Sequence, residues 1–453
     1  MKRMKMFTTL LVAMMLFLAA CSANNGGNAN VQTETENTTQ SNTGTETDPS
    51  GQESKMEEID LGGRTIKVAA WWDPKPAGNT TGEQARLAKF TELEEKYNFT
   101  FEFLNVPFEE YMNKFTTTTL AGEPFADLAI MELKHALPAV KQGLVLPVSE
   151  FTSATDDINN DQRLMRRLPA IGGQEYAFGE PGVQIVGLYY NRDLVKRLGV
   201  QDPQELFAAG QWTWDKFLEL AKSATRDTDN DGKLDTFGYA GYAADAARHF
   251  GVSNGVLLVN DDLTLGMTDT RMVEALEFTH RLYNVENVVK VKSGNKMDYN
   301  ENNTIKDGDV LMSLNYDWNV SELTFEIGVV PIPAGPQSDG QHTYANTAQN
   351  GWFIPKGVQD ADLIYSIWEQ SYDIPPTEEY LGQDWLESRF TNQTDIDMAL
   401  QHINGTGRLT LEDGIPDFPF YAFMEEIIVQ NQSVSATLEK HKPAAEAALA
   451  KIK

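Results

Sequence analysis

The segment DTDNDGKLD, Asp227 to Asp235, places four carboxylates within nine residues. Carboxylate oxygens at alternate positions around a glycine turn suit a hard cation, calcium above all. Laid on a calcium-binding loop, Asp227, Asp229 and Asp231 fall at positions 1, 3 and 5, and Gly232 makes the turn at 6. Lys233 offers its carbonyl at 7 and Asp235 falls at 9, but Gly238 stands where the bidentate glutamate of position 12 belongs. A second loop of this kind is missing from the sequence. The expectation is therefore a structural calcium clip between a helix and a strand, not a sensor. A bare acidic turn is the competing assignment. No catalytic cofactor is expected.

A second set of residues pairs flat rings with hydrogen-bonding groups at the ends of expected strands. Trp71, Trp72 and Asp73 follow RTIKVAA, Asp317 and Trp318 follow VLMSLNY, and Asn350 and Trp352 sit in NGWF. Glu132 ends ADLAIME, Glu180 lies in the turn FGEPG, and Tyr242 closes FGYAGY. A pyranose has apolar C–H faces and a rim of hydroxyls, so it needs aromatic platforms with acceptors and donors around them. These ten residues are the candidate ligand contacts. Core packing competes for each tryptophan and ordinary solvation for each glutamate. Trp318 is the strongest candidate, since it follows a strand end with an aspartate beside it. Trp212, Trp214, Trp368 and Trp385 lie in or beside expected helices and are assigned to packing.

The elements that position these residues alternate. A strand at RTIKVAAWW, a helix at EQARLAKFTELEEKYNF, a strand at TFEFLNV, a helix at EEYMNKFTTTTLAGE, a strand at ADLAIME and a helix at LKHALPAVKQG imply a parallel α/β sheet. Downstream, a helix at TWDKFLELAKSAT, capped by Thr213 or Asp215, leads into the aspartate loop. Strands at GDVLMSLNYDW and EIGVVPIP imply a second sheet, and the stretch from Met424 to Lys453 reads as helix. From Leu61 onward the chain exceeds what one hydrophobic core organises, so two domains are expected.

The N-terminus sets the compartment. Basic MKRMKMF, a short apolar run and LAAC, ending in Cys21, resemble a bacterial lipoprotein signal. Residues 1–20 would be removed and Cys21, the single cysteine, lipidated. Residues 21–60 are polar and expected to be a disordered tether. With 66 Asp and Glu against 37 Lys and Arg, the formal net charge of −29 opposes nucleic acid as a partner and binding to anionic membrane surfaces.

The ordered set GLYYNRDLVKRLGV, WTWDKFLELAKSAT, the aspartate loop with FGYA, GDVLMSLNYDW, IGVVPIPAGP and NGWFIPKG resembles extracellular solute-binding protein family 1, the sugar-binding lipoproteins of ABC importers. The resemblance runs from Arg64 to the C-terminal helices. It implies a two-lobed periplasmic-binding-protein-like α/β fold with a hinge and an interlobe cleft. Lobe 1 would hold residues 61–185 and 349–395, and lobe 2 residues 186–348 and 396–453. It also implies that Trp318 stacks on sugar and that the aspartate loop is a fixed clip. The implied partners are a carbohydrate and membrane permease subunits, with the receptor a monomer on the outer side of the cell membrane.

Catalysis is the weaker reading. GVSNG, Gly251 to Gly255, fits a nucleophile-elbow pattern at Ser253, but a helix precedes it and a strand follows, the reverse of a working elbow. The six histidines lack metal-ligand spacing. A glycoside hydrolase, needing only two carboxylates at a sugar cleft, and a polysaccharide-surface binder stay open as alternatives.

Overall fold

A computed structural model describes residues 59–150, 174–179, 183–320, 323–347, 349–380 and 382–452. Cys21, Glu180 and most of the expected tether lie outside these residues. The strands, in chain order, are β1 (Arg64–Ala70), β2 (Phe99–Asn105), β3 (Leu128–Glu132), β4 (Val186–Asn191) and β5 (Phe237–Ala240). They continue with β6 (Val310–Tyr316), β7 (Ile327–Val330), β8 (Tyr344–Asn346), β9 (Asn350–Phe353) and β10 (Gly407–Leu409).

The first sheet has the order β2-β1-β3-β9. β1 pairs in parallel with β2 and β3, as the strand–helix alternation requires, while β9 joins antiparallel at the edge. The helix Thr81–Tyr97 between β1 and β2 starts at a reciprocal cap. Thr80 accepts from the Glu83 amide at 3.2 Å, and the Glu83 carboxylate accepts from the Thr80 amide at 3.3 Å. Asn98, in the left-handed region, ends it. On one side of this sheet Phe90, Phe101 and Trp352 gather around Trp368, from the helix Ala361–Gln370.

The second sheet has the order β5-β6-β4-β7. β4 and β6 are buried along their whole length, so their sequences are nearly continuously apolar. Of the two expected caps for the helix Trp214–Ala224, Thr213 serves, accepting from the Lys216 amide. This helix packs so tightly on β5 that a Cβ on Gly238 would lie 2.1 Å from the Ala221 carbonyl oxygen. The missing twelfth calcium ligand has a steric cause: no side chain fits at that position.

Two lobes result, each built on one sheet. At their junction β8 and β10 form a parallel ribbon. Asn346 donates to the Gln184 side chain at 2.9 Å, the Gln184 amide to Asn404 at 3.3 Å, and the Thr410 amide to the Asn346 carbonyl at 3.3 Å. These bonds lace together the passages at 183–185, 344–347 and 404–410. The C-terminal part departs from expectation in two ways. Leu386 and Phe390 already belong to the second lobe's core, with Phe390 parallel to Tyr189 at 6.5 Å, so the chain rejoins that lobe ahead of residue 396. The expected helix from Met424 is broken. Phe420–Met424 runs into a wide turn at Glu425–Val429, Asn431 takes a φ of +56°, and a new helix spans Val434–Ala450. Among the described residues no helix is long and apolar enough to cross a membrane.

Candidate functional site

Sheet register brings the candidates together. β1 and β3 run parallel with Val68 opposite Leu128, so Trp71 to Asp73, just past the end of β1, leave the sheet on the side where β3 ends at Glu132, which pairs with Asn350. Trp71, Trp72, Asp73, Glu132 and Asn350 therefore share one edge of the first sheet, beyond the carboxyl ends of β1 and β3. In the second sheet Ala240 pairs with Ser313 and Val186 with Tyr316. Tyr242, Tyr316, Asp317 and Trp318 thus share the edge from which the 183–185 passage departs.

Each edge carries an aromatic platform. Trp71 is half-buried and meets Trp72, Phe108 and Tyr111 edge-on at 5.1, 5.4 and 5.5 Å, which leaves Trp72 (40 % exposed) and Phe108 as the open rings. Across the junction Trp318, 47 % exposed, lies flat on Tyr316 at 4.5 Å. Tyr316 is fixed from below: its hydroxyl donates to Asp245 at 3.2 Å and shares a 2.7 Å bond with Thr347. Tyr242 meets Tyr299 edge-on at 5.8 Å, and Asn319 donates to the Tyr299 hydroxyl at 2.7 Å. Tyr242, Tyr299, Asn303, Asn315 and Asn319 line a shallow polar depression beside the Trp318 platform.

Two candidates of the tryptophan set are buried. Trp352, expected at the cleft, is 1 % exposed and packs in the core against Trp368 at 5.1 Å. Its strand is a sheet member, and the ring faces the covering helix. Asp317 is buried too, and its carboxylate accepts from the Ile185 amide at 3.2 Å. It pins the first passage, and burial holds its pKa above the usual carboxylate value. Asp73 is exposed and closes a local turn by accepting from the Lys75 amide at 3.1 Å.

Reading from sequence passed over the charged centre. Arg248, 2 % exposed on the helix Ala243–Ser253, donates through Nε to Glu412 at 2.6 Å, through Nη1 to Asp245 at 3.2 Å and through Nη2 to Asp413 at 2.5 Å. Three carboxylates hold its pKa well above the ordinary value despite burial. Burial raises the pKa of Asp245 and Glu412, with Arg248 opposing. From the first lobe Lys134 reaches Asp413 at 3.7 Å and Glu132 at 3.5 Å, and His135 stands 3.0 Å from Glu132. A Cβ on Gly414 would fall inside the Lys134 carbonyl, so the two segments touch backbone to backbone. The sequence did carry one signal, an Asp and an Arg three apart on an otherwise apolar, alanine-rich helix. Glu412, Asp413, Tyr299, Asn319 and Tyr421 arrive from short segments without periodicity.

In the aspartate loop, carboxylate oxygens of Asp227, Asp229 and Asp235 lie within 4.8 Å of one another. That spacing fits ligands sharing one calcium ion. Asp231 is not among them: it accepts from the Lys233 amide at 2.8 Å and lies 3.6 Å from its ammonium group. Asp235 accepts from the Thr228 hydroxyl and amide, which lowers its pKa and favours the ionised ligand form.

The chain was compared with known proteins. The bacterial extracellular solute-binding protein family matches residues 77–368. A Brucella abortus relative, described only as a binding protein, is 23 % identical over 310 residues, covering 66 % of this chain and 68 % of its own. The M. tuberculosis protein UspC superposes with a TM-score of 0.61 at 16 % identity, covering 85 % of this chain and 100 % of its own. The maltose/maltodextrin-binding domain of Bdellovibrio bacteriovorus, solved with maltotriose, gives 0.58 at 16 % identity, covering 84 % and 99 %. The GacH receptor of Streptomyces glaucescens, solved with acarbose, gives 0.60 at 18 % identity, covering 86 % and 100 %. Its two-lobed fold and a family match across most of its length show that the chain belongs to the bacterial extracellular solute-binding proteins.

Proposed function

We propose that the chain is a lipid-anchored receptor of an ABC importer that captures a carbohydrate, an oligosaccharide of several units, between its lobes. The observation that carries this reading is the pair of exposed platforms, Trp72 with Phe108 and Trp318 on Tyr316, at the edges of two sheets joined by laced passages. Sugar-loaded neighbours of the same fold, with maltotriose, acarbose and mannotriose, support it. The receptor acts as a monomer, binds without turnover and delivers its sugar to a membrane permease pair driven by a cytoplasmic ATPase. Closure requires that sugar bind the closed form better than the open one. Small-angle scattering with and without oligosaccharide, followed by chromatography of the recovered sugar, tests this. Contraction with intact sugar is expected, and shortened sugar would mean hydrolysis. The intact mass of membrane-extracted protein tests the anchor, with lipid on Cys21 expected.

Trp318→Ala should weaken sugar binding by about 1–3 kcal/mol, since the open face of the ring is lost while Tyr316 keeps its anchors. Unchanged affinity in calorimetry would remove Trp318 from the site.

The aspartate loop would hold calcium through Asp227, Asp229 and Asp235 as a staple within the second lobe. Calcium is expected to raise the melting temperature, by a saturating increment that Asp229→Asn abolishes. Chelation should leave sugar affinity unchanged. Loss of sugar binding on chelation would show instead that the ion touches the ligand.

A further inference from the structure

On the reading that this cleft takes a sugar, we infer that it selects uncharged or amine-bearing sugars and rejects uronates and other anionic ones. Protein sites that take a carboxylate or phosphate commonly offer an open guanidinium fork or a lysine with a spare direction. Among the described residues, the guanidinium buried at the junction is spent on the protein. Glu412, Asp245 and Asp413 take Nε, Nη1 and Nη2 of Arg248, with the Tyr421 hydroxyl 3.5 Å from Nη2. The Phe420 ring covers one face of the guanidinium at 4.0 Å. Lys134 stands between two acids, 3.5 Å from Glu132 and 3.7 Å from Asp413, so its charge is already matched.

The charge balance follows. In the ion-pair cluster of the described residues, four carboxylates, Glu132, Asp245, Glu412 and Asp413, face two cations, Lys134 and Arg248. A charged His135, 3.0 Å from Glu132, would still leave the set negative. The neighbouring depression offers neutral groups only, apart from Asp245: Tyr242, Tyr299, Asn303, Asn315 and Asn319. Hydroxyls and ammonium groups suit this lining, whereas an entering carboxylate meets uncompensated negative charge at low solvent exposure.

Calorimetry on the full chain, with oligosaccharides of matched length, tests the rule: malto-, manno- and xylo-oligomers, glucosamine oligomers and oligogalacturonates, at low and high salt. The expected result is binding within the neutral or glucosamine sets and oligogalacturonate affinity at least ~100-fold weaker. The gap should narrow at high salt and shrink by roughly tenfold in Glu132→Gln, which keeps the side-chain size and removes one charge. Oligogalacturonate binding equal to or tighter than the neutral set overturns the charge rule and leaves sugar capture standing. A gap indifferent to both salt and Glu132→Gln overturns it as well, because exclusion would then be by shape. Silence with every oligomer overturns sugar capture, and the charge rule with it.

Discussion

Arg248→Met is expected to cost about 3–5 kcal/mol of folding stability, the penalty of leaving buried carboxylates without their cation. The substitution keeps most of the apolar stem, so the loss is electrostatic and not a cavity effect. Glu412 is as buried as Arg248 itself, while Asp245 and Asp413 are partly buried. Without the guanidinium at least one of these acids must take up a proton or draw in water. A fall in melting temperature of roughly 5 °C is expected. The double variant Arg248→Met with Glu412→Gln should recover part of it, since it removes the most deeply buried orphan charge. An unchanged melting temperature would mean that the carboxylates are solvated in solution and that the network is not a structural element. A functional loss should accompany the thermal one. Asp413 would lose its main anchor, and with it the contact from Lys134 that ties the third passage to the first lobe.

The pattern of success in reading the sequence has physical causes. The first sheet was legible because strand and helix periodicities alternate cleanly from Arg64 to Lys141, and parallel pairing follows from that alternation. The position of Trp72 and Glu132 at one sheet edge was likewise legible, because both lie just beyond strands of known direction. What period and position leave open is which way a ring points. Trp318 and Asp317 are neighbours in the same segment, yet one faces solvent and the other pins a backbone amide. Trp352 looked like an edge residue from its motif, but its partner Trp368 comes from a helix placed by tertiary packing alone. The charged centre was opaque for a related reason. Arg248 and Glu412 are 164 residues apart, and nothing local in either segment announces the other.

The helix Ala243–Ser253 carries Asp245 and Arg248 of the charged centre and, next to them, His249 against the junction ribbon, so the two share one rigid support. A change in the charge state of that helix therefore reaches both.

Acidification is expected to act through His249. Its ring is buried, and Nδ1 accepts a hydrogen bond from the Ala345 amide in β8 at 3.0 Å. Burial first, and the neighbouring Arg248 second, push its pKa down from 6.5 to about 3. The unfolded chain takes up this proton at its ordinary pKa, well before the folded one does. The stabilising contribution is therefore complete above pH 6.5 and is lost as pH falls toward 3. From the depressed pKa the loss amounts to about 2 kcal/mol at pH 5 and about 4 kcal/mol at pH 3.5. Asp245, Asp317 and Glu412 act with the opposite sign, because their raised folded pKa values favour proton uptake by the folded state. A single pH titration would mix the two. The difference between the parent and His249→Gln separates them, since the carboxylates contribute to both proteins, and glutamine retains an oxygen acceptor for the Ala345 amide. Chemical denaturation from pH 7 to pH 5 should shift that difference by about 2 kcal/mol in favour of the variant. Parallel stability curves would show that His249 does not titrate with unfolding, and that the hinge ribbon is indifferent to acid. A shift as expected would tie the junction between the lobes to the protonation state of one buried ring.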